Sequence, residues 1–264
     1  MGRCPATHRP AEGRTLTPGR RGKRPEGRRS TAPARRLPWD QVLDRLSVYY
    51  QMGLWRVPYL KAHAEDPFQV LVATVLSQRT RDETTDRVAA KLFEAYPTPE
   101  ALARAPPARL RRILRPVGFY ATKARGIREL SRLLMSRHGG AVPRDMEALL
   151  ALPMVGRKTA NCTLVFGFGI PAIPVDTHVH RLANRLGAVR TRTPEETEEA
   201  LRKVVPEGLW VPLNPLLVQH GQNVCLPRLP HCERCPLVDL CETGEAFLER
   251  GPALPPRTVK LLAR

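Results

Sequence analysis

What this 264-residue sequence lacks narrows its class before any motif is read. Aromatic residues make up only 5% of it, too few for a binding surface built on many stacking platforms. No run approaches the ~20 apolar residues that a membrane span requires. The N-terminus carries arginines but no apolar segment with a small-residue cleavage site behind it, so a secretory signal is not expected. Apolar and polar residues never alternate for more than a few positions, which argues against a half-buried sheet. Acidic residues are also short: 25 Asp and Glu stand against 43 Lys and Arg, a formal charge of +18. That excess favours a polyanionic partner, nucleic acid first and an anionic membrane surface second. Cysteine is scarce outside one place. Four of the six fall within seventeen residues, which suits a reducing compartment and a metal better than a disulfide framework.

Half of the positive excess lies at one end. Residues 1–37 hold eleven Arg and Lys against two Glu, with Pro and Gly throughout, and cannot bury enough apolar surface to order themselves. Three readings of this basic tail stand side by side: a solvated tail that tracks an arginine-rich proteome, a tether to DNA, and a mitochondrial transit peptide. The density of Pro and Gly opposes the last. Helical signals begin at Trp39, with Val42, Leu43, Leu46 and Tyr50 on one stripe. Asp66-Pro67 caps PFQVLVATVLSQ, a segment apolar on every face and so predicted to sit in the middle of the fold. It ends abruptly at the polar turn Ser77-Gln78-Arg79-Thr80-Arg81-Asp82. Further helices are predicted over DETTDRVAAKLFEAY, Pro99–Ala105, Pro107–Leu114 and ATKARGIRELSRLLMSRHGG, the last stopped by two glycines. Thr193-Pro194-Glu195-Glu196 opens another as a capping box, and a last one is predicted near Pro215–His220. The result is an all-α fold of about ten short helices.

Residues Leu149 to His178, LLALPMVGRKTANCTLVFGFGIPAIPVDTH, concentrate the chemistry. Pro153 cannot continue the helix before it, Gly156 follows in a tight turn, and a second helix is predicted from Arg157 to about Phe166. Such a helix–hairpin–helix turns the free N–H groups of its second helix outward, a seat for a phosphate at Val155, Gly156 and Arg157. Lys158 lies in the first turn of that helix, where the dipole disfavours an ammonium. A partly desolvated lysine there is expected to have a lowered pKa and to serve as an amine nucleophile. Asp176 or Thr177 caps a further helix at His178, leaving a carboxylate at a helix start. The plain alternative is a structural turn with a solvated lysine. Downstream, Cys225, Cys232, Cys235 and Cys241 are spaced C-x6-C-x2-C-x5-C. Four thiolates suit zinc or an iron–sulfur cluster, and residue chemistry leaves the two open.

These motifs together resemble the endonuclease III family of helix–hairpin–helix DNA glycosylases, in which LPGVGRKTAN…VDTH carries the catalytic lysine and aspartate. The matching residues are Lys158 and Asp176, and the resemblance runs from about Trp39 to Glu249. It implies a two-lobed fold: a helical barrel lobe over 60–170 and an iron–sulfur lobe from 38–59 and 171–249; the basic tails at 1–37 and 250–264 lie outside the resemblance. It implies a [4Fe–4S] cluster on the four cysteines, and a monomer acting on duplex DNA with a damaged base or abasic site. The implied activity is that of a bifunctional glycosylase/AP lyase removing oxidised pyrimidines through a lysine Schiff base and β-elimination. A mismatch-specific glycosylase on the same scaffold is disfavoured by the lysine. A non-catalytic DNA-binding or redox-sensing protein is disfavoured by the intact pair. For a bacterial chain the implied address is the cytoplasm, with the nucleoid; nucleus and mitochondrion stay open otherwise.

A glycosylase must flip its target nucleotide out and fill the gap. The family's motif for that task, Ser-Ala-Gln-Ala-Thr-Asp or close to it, is similar to Ser77–Asp82. Ser77 and Asp82 match, Arg79 stands in the register of the gap-filling glutamine, and Gln78 is one place earlier. Phe119-Tyr120 falls where the family places a second intercalating residue. By the same resemblance Ser77, Asp82 and His178 line the pocket or orient the catalytic pair. Met154 replaces the usual hairpin glycine, at a cost of roughly 1 kcal/mol if that position needs φ > 0. The loop LPRLPH between the first two cysteines offers only Arg228 and His231 as basic groups. Cys162, four residues after Lys158, reads as core packing.

Overall fold

The computed structural model describes residues 34–51 and 66–249. The expectations for residues 1–33, 52–65 and 250–264, which include most of the basic tail and all of the C-terminal one, lie outside the described residues. Every regular element among the described residues is helical. The chain begins with α1 (Trp39–Tyr50), α2 (Pro67–Ser77), α3 (Asp82–Ala95), α4 (Pro99–Arg104), α5 (Pro107–Leu114) and α6 (Tyr120–His138). It continues through α7 (Met146–Leu150), α8 (Arg157–Cys162), α9 (Thr177–Leu186), α10 (Pro194–Val204), α11 (Trp210–Asn223) and α12 (Gly244–Leu248).

Local sequence explains most of these boundaries. Asp66 opens α2 by accepting hydrogen bonds from the Phe68 and Gln69 N–H groups, with Pro67 pre-set at the first helical position. Thr98, Asp145, Asp176 and Thr193 cap α4, α7, α9 and α10 in the same way. Gly139 and Gly187 close α6 and α9 in the left-handed conformation. Two expectations shift. The helix predicted from Arg157 to Phe166 is α8 followed by a π-helical turn, Thr163–Gly167. The helix predicted from Pro215 begins at Trp210 instead; Pro215 lies inside α11, so the proline reads as a start signal that the surrounding burial overrides.

The apolar interior falls into two clusters. The first gathers α2 to α8 around residues such as Leu71, Leu110, Ile127 and Leu149, and its last member is Ala172. The second takes α1, α9, α10 and α11 around Val42, Leu46, Leu182 and Leu216, and after α1 it resumes at Ile173. As predicted, α2 is buried along its length, from Val70 to Leu76. The chain therefore crosses from one core to the other three residues before Asp176. Lys158 stands on α8, the last α-helix of the first cluster, and Asp176 caps α9, the first helix the second cluster gains after the crossing.

Candidate active site

The hairpin between α7 and α8 turns at Met154, whose φ of 67° lies in the left-handed region; Gly156 is extended and caps α8. A Met in that conformation costs ~1–2 kcal/mol relative to a glycine. Two contacts hold it there. Gln78 Nε2 donates to the Met154 carbonyl at 3.0 Å and to Thr159 Oγ1 at 3.3 Å. The Met154 side chain lies against α6 at Gly126, where a Cβ would come within 2.5 Å of Met154 Cγ. A glycine missing from the hairpin is thus matched by a glycine present in the facing helix.

Lys158 and Asp176 open onto one cavity of about 510 Å³, and Ser77, Gln78, Arg79, Asp82 and His178 share its wall. Asp176 Oδ1 accepts from the N–H groups of His178 (2.8 Å) and Val179 (2.9 Å), which fixes the carboxylate and sets its charge on the positive end of α9. The expectation of a lowered lysine pKa is not met. Cys162 and then Asp176 raise Lys158, against the pull of burial. Burial pushes Cys162 itself up, so at neutral pH it is a thiol and the lasting anionic neighbour is Asp176. Cys162 belongs to the first core, as its spacing suggests, but it also forms part of the cavity wall beside Lys158. Asp86, which sequence reasoning passed over, lines the same cavity with a buried Oδ1 that has no partner. Burial, then Asp82 and Glu83, push its carboxyl up to about 6.

Two turns flank the cavity, and both carry a left-handed residue: Arg79 at φ 52° and Phe119 at φ 57°. Phe119 is 63% exposed, and the Arg79 guanidinium carbon sits 5.6 Å from its ring centroid. Lys123 stitches the turns together. It is 1% exposed, and its Nζ donates to the Leu76 carbonyl (2.7 Å), the Gln78 carbonyl (2.5 Å) and Thr80 Oγ1 (3.1 Å). Thr80 Oγ1 in turn accepts from the Gly118 N–H at 3.2 Å, and a Cβ at Gly118 would meet the Arg79 carbonyl oxygen at 2.7 Å. Lys123 carried a signal that went unread: it occupies the buried stripe of α6 with Ile127, Leu130 and Leu134, where a lysine must have found acceptors.

The remaining predicted residues divide. Tyr120 is exposed beside Phe119 and Gly156 is exposed at the hairpin, both outside the cavity wall. Val155 is only 8% exposed and belongs to the first core, so its side chain is not offered to a ligand. Arg157 does not hold its guanidinium out for a phosphate. Its Nη2 and Nε bond to the two carboxylate oxygens of Glu198 at 2.8 and 3.1 Å, and that glutamate is 2% exposed. His231 is also withdrawn from the cysteine loop's surface, buried and bonded to Glu233, which leaves Arg228 exposed there.

Cys225, Cys232, Cys235 and Cys241 surround a common cavity. Burial and the neighbouring cysteines push Cys232 up to about 11, and burial chiefly pushes Cys235 up to about 12. Burial thus favours the neutral thiols, and thiolates crowded in this way would be offset by a cationic centre among them. No three His, Cys, Asp or Glu among the described residues converge on a point that one ion would fill. Four cysteine sulfurs around one cavity are a donor set that fits an iron–sulfur cluster and a zinc ion alike. The loop is gripped from α9: Arg181 donates to the Gly221 and Cys225 carbonyls, and Arg185 to those of Leu226 and Pro227, at 2.6–2.9 Å. His220 bridges Tyr50 Oη and Cys235 Sγ, and burial holds its pKa down at about 4.

Known proteins are similar to this chain in sequence and in fold. Residues 72–207 match the HhH-GPD superfamily of base excision DNA repair proteins. Endonuclease III of Thermotoga maritima is 56% identical over 177 residues, covering 67% of this chain and 83% of that one. Endonuclease III of Escherichia coli K12 is 38% identical over 188 residues, covering 71% and 89%. A trapped covalent intermediate of endonuclease III with DNA superposes with a TM-score of 0.70 at 35% identity, covering 80% of this chain and 99% of that one.

Proposed function

The chain belongs to the endonuclease III family of HhH-GPD base excision repair proteins, and from that premise we propose that Lys158 and Asp176 excise oxidised pyrimidines from duplex DNA and then cut the strand. The observation that carries this reading is the placement of the two side chains on one cavity, at the seam where the chain passes between its cores. The duplex lies across that seam, and the target nucleotide enters the cavity. Asp176 faces an amine held charged at neutral pH and is placed to take its proton. Nζ then bonds to C1′ as the glycosidic bond breaks, and the base leaves with the electron pair and a proton. Opening of the sugar ring yields an imine between Nζ and C1′. Loss of a C2′ proton then expels the 3′ phosphate, which cuts the strand. Asp176 also offsets the positive charge that develops at C1′.

Gln78 orders the hairpin, Arg79 and Phe119 enter the helix where the nucleotide leaves, and Ser77, Asp82, His178, Tyr120 and the Gly156 backbone complete the contact surface. When bound by Cys225, Cys232, Cys235 and Cys241, a [4Fe–4S] cluster supplies the structural centre of its loop; the substrate chemistry stays with Lys158 and Asp176. The enzyme acts as a monomer, and among the described residues no helix is long and apolar enough to cross a membrane. Borohydride trapping on duplexes that each carry one modified base tests the reading. The wild-type chain should yield a covalent adduct and Lys158→Gln none, although Lys158→Gln should still bind. An adduct with Lys158→Gln would move the nucleophile elsewhere.

A further inference from the structure

The catalytic cavity, the cysteine loop and the two left-handed turns leave the face between α5 and α6 without a role. Residues 104–144 hold eleven Arg and Lys against one Glu, which accounts for the whole positive excess of the chain outside residues 1–37. Arg125, Arg128 and Arg132 recur at spacings of three and four on α6, so they share one side of it. Together with Arg111 of α5 they line a cavity of about 240 Å³. The one carboxylate in its wall, Glu129, reaches Arg132 at 3.6 Å, and Arg111, Arg125 and Arg128 bond to no described residue. Arg128 Nε is moreover sealed from solvent without an acceptor. A buried donor left unpaired is destabilising, and four like charges around one space repel each other. An anion seated among them removes both penalties.

The guanidinium fork matches the oxygens of a phosphate, and position on α6 selects which phosphate. The helix starts immediately after Phe119, so Arg125 lies roughly 8 Å and Arg132 roughly 18 Å along its axis. A strand of DNA advances about 3.4 Å per nucleotide, so with α6 running along the duplex these arginines would lie about two to five nucleotides from the one at Phe119. We infer that the α5–α6 cavity is a subsite for a backbone phosphate of the DNA strand flanking the flipped nucleotide. The inference rests on the DNA-binding reading above. It gives the folded body a second electrostatic hold, away from the hairpin whose arginine is spent on Glu198.

The test compares the full-length wild-type chain with Arg125→Gln/Arg128→Gln, and with a charge-matched control, Arg112→Gln/Arg137→Gln, whose arginines are exposed and outside the cavity. Affinity for a duplex with a reduced abasic site is measured from about 50 to 200 mM salt. Loss of one phosphate contact lowers the slope of log K against log salt by about 0.9, an eightfold weakening at 0.1 M salt. That result is expected for the cavity pair, and a clearly smaller one for the control. Arg125→Lys/Arg128→Lys keeps the charge without the fork and should regain the slope but only part of the affinity. Melting curves establish that each variant is folded. A wild-type slope in the cavity pair, or an equal loss in the control, overturns the subsite. Pyrophosphate is titrated in parallel. If it binds the wild type and not the cavity pair while the DNA slope is unmoved, the site serves a free anion and the inference fails. Failure of the proposed function shows separately, as absence of duplex binding by the wild type.

Discussion

Replacing Met154 by glycine should leave stability almost unchanged, yet the same replacement should be stabilising once Gly126 has become alanine. Met154→Gly relieves a left-handed side chain, a gain of ~1–2 kcal/mol. It also removes a half-buried thioether from α6, and burial of a whole Met contributes about 1.5–3 kcal/mol, so the two changes nearly cancel. Gly126→Ala alone gains ~1 kcal/mol of helix propensity. Its new Cβ, however, lands 2.5 Å from Met154 Cγ and 3.1 Å from Sδ, and overpacking of that kind costs ~1–3 kcal/mol. In the double variant the clash is gone, both backbone gains remain and the new methyl group partly fills the space. A net gain of about 1 kcal/mol follows, with a coupling energy of ~1–3 kcal/mol between the sites. For a folded body of this size each kcal/mol moves the melting temperature by ~2–4 °C, which scanning calorimetry on the four proteins resolves. If the double variant equals the sum of the singles within ~0.5 kcal/mol, the Met154–Gly126 pairing is not what holds the hairpin.

Two further outcomes follow from the buried lysine and from the cysteines. Lys123→Met strands two carbonyls and a hydroxyl and should lower stability by ~2 kcal/mol. Because burial lowers the Lys123 ammonium to about 8, the unfolded chain binds more protons than the folded one between there and the ordinary lysine value; wild-type stability relative to Lys123→Met should therefore rise from pH 7 to pH 10, and a fall would refute the assignment. Anaerobically purified protein should be yellow-brown with about four irons per chain. Stoichiometric zinc in a colourless solution would remove the cluster without touching the catalytic assignment.

Much of this molecule was legible in its sequence because the relevant signals are local. Asp66-Pro67 and Thr193-Pro194 mark helix starts by hydrogen bonds that span two or three residues, and the unbroken apolar run of α2 can only be satisfied in an interior. That Lys158 and Asp176 line one cavity is legible through their motif. What escaped depends on partners far along the chain. The Arg157 side chain gives no sequence sign of its partner: Glu198, 41 residues on, takes its Nε and Nη2 edge. Asp176, a carboxylate from another helix, favours the charged Lys158 against the pull of burial, so position within its own helix gave the wrong sign. Met154 reads as a defect in its own turn, and only the packing of α6 shows the vacancy at Gly126 that receives it.

One helix joins two parts of this protein that do different work. Asp176 caps the start of α9, while Arg181 and Arg185, one and two turns further on, hold the backbone of the cysteine loop. With ten residues the helix is about 15 Å long and has little give along its axis. Whatever slackens the loop removes the anchor that sets where the helix begins, and hence where the carboxylate points. A slack cysteine loop is therefore expected to turn the carboxylate aside. On the mechanism proposed above, a chain in that condition would still hold DNA through its arginines and yet break no strand.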